Sequence, residues 1–268
     1  MSDATGPGDG HTATPREAGD ASAPGEQPEH AAAGPWGVFD ALLVLLLTAV
    51  TTSVVIAAAA LLSPAPGLPD ALAPLLLPLP LLLLTGITLA WVHARYRAVR
   101  RLLGPARARA RDWLIGIGWG VGGFLGVNIV LGLLLQALAA LAGYELPQPQ
   151  QEVRDAVADP GLAPWLILSA VVVAPVSEEL FFRGMLQPAL RRHMRAVWAI
   201  VLTAVAFAAA HILQELGGGA GPVAFVLILP LGLLLGWLFE RRGTLATPIA
   251  VHAVFNLITV GLVLIPVA

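Results

Sequence analysis

The chain contains neither cysteine nor lysine. The first absence excludes disulfides, thiol nucleophiles and cysteine-ligated zinc or iron–sulfur centres, and it leaves the redox compartment unreadable. The second makes arginine carry all 15 positive side-chain charges; with heavy use of Ala, Leu, Gly and Pro, this points to a GC-rich genome and a bacterial source. Charge is scarce as well: 12% of residues are charged, about half the roughly 25% of a soluble domain. What is abundant is apolar. Hydrophobic residues make up 57% of the chain, and apolar stretches of roughly 20 residues, enough to cross a bilayer, recur after residue 36. The expected class is all-α, a polytopic transmembrane helical bundle of about seven spans, with the lipid bilayer as its surroundings and no nucleic acid among its partners.

Residues 1–35 are rich in Gly, Pro, Ala, Asp and Glu and show no periodic apolar positions. They are expected to form a disordered cytoplasmic tail, with His11 and His30 as incidental members rather than metal ligands. Beyond it the expected helices run over about 38–62, 71–93, 114–142, 163–187, 196–213, 223–239 and 245–267. Residues 36–145 form an N-terminal group of transmembrane helices and residues 160–268 a second, functional group. Arginines fall in the connections after the second, fourth and sixth helices, whereas "YELPQPQQEVRDAVADPG" and "QELGGGAG" on the other side are acidic or neutral. The bias of Lys and Arg toward the cytoplasm therefore puts the N-terminus inside and the C-terminus outside.

Pro74, Pro78 and Pro80 should kink or break the second span. In the third, "LIGIGWGVGGFLGVNIVLG", glycines at four-residue spacing allow close helix approach. Packing within the chain is the ordinary reading, a homo-oligomer the alternative. Asn128 in this span is expected to hydrogen-bond another helix.

Ionisable groups inside spans are costly and by default mark function. Away from helix ends they are few: Glu178, Glu179, Arg183, His211 and His252. Glu179 and Arg183 stand four apart, acid first, the favourable order for a pair on one helix face. Glu178 points about 100° away from Glu179, so one carboxylate can be neutralised structurally while the other stays free. "FAAAH" puts Phe207 and His211 on one face, and "HAVFN" does the same for His252 and Asn256. At about 1.5 Å per residue, Glu178 lies roughly 20 Å from Arg191, His211 roughly 24 Å from Arg195, and His252 and Asn256 roughly 15 and 21 Å from Arg242. Four polar groups on three helices share one layer. Ser177 is expected to bond to local backbone, and Pro175, which has no amide hydrogen, to leave a carbonyl for water.

"EELFFR", "FAAAH" and "HAVFN" resemble, in order and without mismatch, the E-E-x-x-x-R, F-x-x-x-H and H-x-x-x-N motifs of the CPBP intramembrane proteases. That family includes type II CAAX prenyl endopeptidases and Abi-like bacteriocin-immunity or self-processing relatives. The resemblance covers about 163–265. It implies hydrolysis of a peptide bond in or next to the membrane, in a membrane-embedded or membrane-associated peptide or protein. It gives Glu178 and His211 the activation of a water, and His252 and Asn256 the oxyanion, with Phe207 in support and Glu179–Arg183 as a structural pair. The chemistry is consistent: a desolvated carboxylate can take a proton from water, and His and Asn can donate to a developing oxyanion. Glu178, His211 and His252 also resemble a zinc ligand set, so Zn²⁺ and a metal-free, glutamate-activated water both stand.

Two other functions are weighed. A catalytically silent scaffold or bacteriocin-immunity protein of the same fold would be expected to have lost a motif residue, and none is lost. A proton-coupled transporter would be expected to show two related halves; no internal repeat is visible.

Overall fold

The computed structural model describes residues 34–63, 73–146, 158–212 and 221–264; His11, His30 and the rest of the expected tail before residue 34 lie outside them. All seven expected helices are present: α1 (Val38–Leu62), α2 (Pro74–Tyr96), α3 (Ala110–Leu141), α4 (Ala163–Arg191), α5 (Ala196–Ile212), α6 (Gly221–Arg242) and α7 (Ala246–Val263). Six are long and apolar enough to cross a membrane; α5, with 17 residues, falls short of that length. At 1.5 Å per residue the described part of α5 spans about 25 Å, against a hydrocarbon core of about 30 Å, so the expected seven helices appear among the described residues as six full-length spans and one shorter apolar helix. The chain is an integral membrane protein. Among the described residues every regular element is helical.

The prolines act as expected. A four-residue turn, Ala73–Leu76, is separated from the main helix Leu79–Tyr96 by a bend at Leu77 and Pro78. Two helices also widen locally. α3 takes π geometry over Leu125–Leu131, and α4 does so over Ser169–Val173 and Phe182–Leu186. Such π-bulges concentrate at functional sites, because the extra residue re-aims the side chains beside it.

Glycine decides which faces meet. A Cβ on Gly116 would stand 2.5 Å from the Ala250 Cβ and 2.7 Å from the Thr247 carbonyl oxygen, and one on Gly120 would stand 2.7 Å from the Val254 Cβ; Gly118 and Gly122 have nothing within 4 Å. The stripe therefore seats α7 against α3 along one of its edges only. Gly116→Val should destabilise the chain by about 1–3 kcal/mol through overpacking, while Gly118→Val should stay within about 0.5 kcal/mol of the parent. Thermal denaturation in detergent compares them directly.

One end of the bundle is fastened by polar contacts. Asp112 at the start of α3 accepts from Arg242 at the end of α6 (Nε to Oδ1, 3.1 Å). The Ala106 amide donates to the Gly243 carbonyl at 2.7 Å, and the Leu245 amide to the Leu103 carbonyl at 3.2 Å. Gly104 (φ +94°) adopts a left-handed backbone that favours glycine, and its missing Cβ admits the Gly243 carbonyl. Asp40 of α1 accepts from Trp91 (2.9 Å) and Tyr96 (2.8 Å) of α2. Fully buried Trp36 donates to the Met185 carbonyl at 3.0 Å, and Arg192 donates to the Pro35 and Trp36 carbonyls at 2.8 and 3.1 Å. The start of α1 and the connections after α2, α4 and α6 are thus gathered together.

Candidate active site

The two glutamates of α4 lie between its two π-bulges and Arg183 lies within the second; the four-residue spacing continues past the motif, so that Glu179, Arg183, Gln187 and Arg191 form one stripe. Opposite it, α6 presents Gly232, Gly236 and Glu240 at the same spacing. Arg183 pairs with Glu179 (Nη1 to Oε1, 2.9 Å) and donates its other terminal nitrogen to the Gly232 carbonyl at 2.9 Å. Gln187 donates to the Gly236 carbonyl (3.1 Å) and to Glu240 (3.0 Å); Arg191 pairs with Glu240 at 3.3 Å. The glycines allow this approach: a Cβ on Gly236 would lie 2.9 Å from the Gln187 Oε1. Glu179, Arg183 and Gln187 are fully buried. Burial of a charge is tolerable only with a partner and hydrogen bonds, and the Arg183 guanidinium gains a third support from the Phe207 ring, whose centroid lies 4.6 Å from Cζ.

Glu179 does more than pair with the arginine. Its Oε1 also lies 3.1 Å from the His252 Nδ1, a link across two helices that four-residue spacing cannot reveal. As a carboxylate held by Arg183, Glu179 accepts, so the His252 Nδ1 carries the proton. His211 is fixed in the same sense: its Nδ1 lies 2.8 Å from the Phe207 carbonyl oxygen, which can only accept. Both rings consequently turn Nε2 toward the same atom, the Glu178 Oε2, at 3.8 Å from His211 and 3.9 Å from His252. That oxygen is buried and has no hydrogen-bond partner in the protein. Phe207 packs between the rings, 4.7 Å from His211 and 5.6 Å from His252 between centroids, so the motif phenylalanine sets both histidines and covers the arginine.

Asn256 sits one helical turn beyond His252, and its Nδ2 donates to the Ala170 carbonyl at 2.8 Å. The cause lies in α4. The Ala174 amide bonds back to the Ser169 carbonyl in π register; the next amide in that register would reach Ala170, but residue 175 is proline. The carbonyl expected to be left for water is therefore taken by Asn256, whose Nδ2 makes no second hydrogen bond among the described residues. Asn256→Ala should cost about 0.5–1.5 kcal/mol by removing this half-buried hydrogen bond. Adding Pro175→Ala, which restores an amide hydrogen at that position, should recover most of it, with a coupling of about 0.5–1.5 kcal/mol in a double-mutant cycle. Denaturation of the four chains reads this directly.

Two expectations change. Ser177 bonds not to local backbone but to the Thr85 hydroxyl of α2, 2.7 Å away. Asn128 bonds to no other helix: its Nδ2 has no protein partner, and the residue lines the cavity instead, because it sits inside the α3 π-bulge that turns it inward.

That cavity has a volume of about 810 Å³, and Glu178, Phe207, His211, His252 and Asn256 all line it. The structure thus brings the four residues expected to act, with Phe207, to one concave and largely apolar space; Glu179 and Arg183 lie behind it. Among the described residues no group of three His, Cys, Asp or Glu side chains could hold a metal ion. The trio Glu178, His211 and His252 does not fit zinc as placed: gaps of 3.8 and 3.9 Å exceed the roughly 3.4 Å between neighbouring ligands of a tetrahedral site with 2.0–2.1 Å bonds.

No curated protein and no solved structure matches the chain. Residues 160–258 match a family model described as Rce1-like, type II CAAX prenyl endopeptidase Rce1-like, and all three motifs fall inside that segment. Over these C-terminal helices the chain is similar to the type II CAAX prenyl endopeptidases.

Proposed function

We propose that this protein is an intramembrane endopeptidase that hydrolyses a peptide bond of a membrane-embedded or membrane-associated substrate. The observation that carries this reading is the convergence of Glu178 Oε2 with two histidine Nε2 atoms, each oriented through its own Nδ1, on the wall of a cavity within the bundle. Gaps near 3.8 Å are too long for direct hydrogen bonds and suit a bridging water.

The charges suggest how the work is divided. An oxyanion donor at Nε2 requires a second proton on one of the two rings. Held on His252, that proton leaves Nδ1–H on Glu179 and turns Nε2–H toward the substrate. Water then lies between Glu178 and the His211 Nε2 lone pair. Glu178 takes one of its protons, the resulting hydroxide adds to the scissile carbonyl carbon, and the oxyanion is met by His252 Nε2–H and the second amide hydrogen of Asn256. Collapse breaks the C–N bond, and the departing amine takes the proton from Glu178. No step passes through a metal.

The test is comparative mass spectrometry of membrane peptides from cells carrying the native chain or Glu178→Gln. Fragments with new termini that appear only with the native chain support a peptidase. Identical peptide sets, with both chains equally abundant, would overturn it in favour of a catalytically silent scaffold.

A further inference from the structure

We infer that the cavity is loaded from the membrane face opposite the arginine-rich end, so that its substrate is a peptide segment presented in the outer half of the bilayer. This rests on the peptidase reading for the word substrate, but the direction of access stands on geometry alone.

The lining is one-sided. On α4 it runs from Leu166 to Glu178 and stops; on α6 it stops at Leu231, and on α7 it begins at His252 and continues to Val263. On α3 it begins at Phe124 and runs away from the arginines to Gln136. No lining residue lies nearer the arginine end than this catalytic layer. Beneath the layer the bundle is plugged, because Glu179, Arg183, Gln187, Phe181, Met185 and Leu235 are all completely buried.

Charge assigns the two ends. Every described arginine except Arg183 lies at the plugged end, either in the connections after α2, α4 and α6 or in the helix turns flanking them. The connections there are fastened together by the Asp112–Arg242, Arg191–Glu240 and Ala106–Gly243 contacts. At the open end the described connecting residues include Glu145 and Asp159 and no basic residue. The bias of arginine toward the cytoplasm therefore points the mouth outward. A lipid-anchored tail on the cytoplasmic leaflet would meet the plug. An extended segment entering from the outer side would meet first an apolar wall, then the Asn128 amide. That donor has no protein partner, and a main-chain carbonyl would satisfy it.

The absence of cysteine makes the test clean. Single cysteines are placed in the full chain at Gln136 and, separately, at Leu262, both lining the outer part of the cavity, and at Arg107 as a marker of the other end. Right-side-out and inverted membrane vesicles are then treated with a membrane-impermeant maleimide. Q136C and L262C should label in right-side-out vesicles only, and R107C in inverted vesicles only. Labelling of both cavity positions from the cytoplasmic face, from both faces, or from neither although they label in detergent, would overturn the inference. A catalytically silent chain would label identically, so failure here is distinct from failure of the Glu178→Gln comparison.

Discussion

Glu179→Gln should lower the stability of the folded chain by about 3–5 kcal/mol, the cost of removing one partner from a buried ion pair. The reason lies in what is left behind. Arg183 is fully buried, its Nε has no hydrogen-bond partner in the protein, and without the carboxylate its direct contacts are the Gly232 carbonyl and the Phe207 and Phe182 rings. None of these supplies a formal negative charge. His252 is loosened by the same change, since its Nδ1 bond ends on the same carboxylate oxygen. Arg183→Met alone should cost a similar amount, because it strands Glu179. The double variant should cost clearly less than the sum of the two, since no charge of the pair is then stranded. Denaturation of purified protein in detergent, with helix content as the signal, measures all three; a Glu179→Gln chain as stable as the parent would show that the pair is dispensable. Because the stripe from Glu179 to Gln187 fills the space between α4 and α6, the loss should spread as disorder of both helices rather than as local fraying.

Much of this arrangement is legible in sequence because helices convert spacing into direction. Glu179 and Arg183, four apart, do pair, and glycines at four-residue spacing do seat α7 on α3. Intramembrane charge is expensive enough that the few charged and histidine positions mark the site by themselves. What the sequence hides is whatever depends on two helices at once. The bond from His252 to Glu179 joins residues 73 apart, and the bond from Asn256 to Ala170 joins residues 86 apart. The π-bulges are hidden for the same reason: neighbouring helices decide whether a carbonyl bonds four or five residues ahead. A signal for one existed nonetheless, since Pro175 must leave a carbonyl bare and an amide at a cavity wall is an obvious donor for it. Gln187 was equally readable, four residues past Arg183 on the same face. Asn128 was not, because its exposure to the cavity comes from a bulge that no local residue announces. Boundaries suffered from a plainer cause: apolar composition marks the middle of a membrane helix and says little about its ends, so α5 read as a full span although its described length is short of one.

Glu178→Gln should reduce peptide hydrolysis by about 10²–10⁴-fold, the typical contribution of a general base, while leaving folding and membrane insertion intact. The amide has the shape of the carboxylate but cannot hold the proton that water must give up. It should be tolerated structurally because the Glu178 Oε2 has no hydrogen-bond partner in the protein to lose, in contrast to Glu179 next to it. His211→Ala should fall in the same range, since the Nε2 lone pair facing Glu178 at 3.8 Å is the second acceptor for the water. Asn256→Ala should slow turnover by about 10²–10³-fold as an oxyanion donor is lost, and Pro175→Ala should restore its stability without restoring its rate. Recovery of both would reduce Asn256 to a helix prop for Ala170. Because Glu178, His211 and His252 do not fit a metal as placed, protein treated with a strong chelator and freed of it should keep its rate. Complete loss of hydrolysis on chelation, reversed by added zinc, would mean that the two histidines close on Glu178 around an ion, and the assignment of Glu178 as base would have to give way to one as ligand.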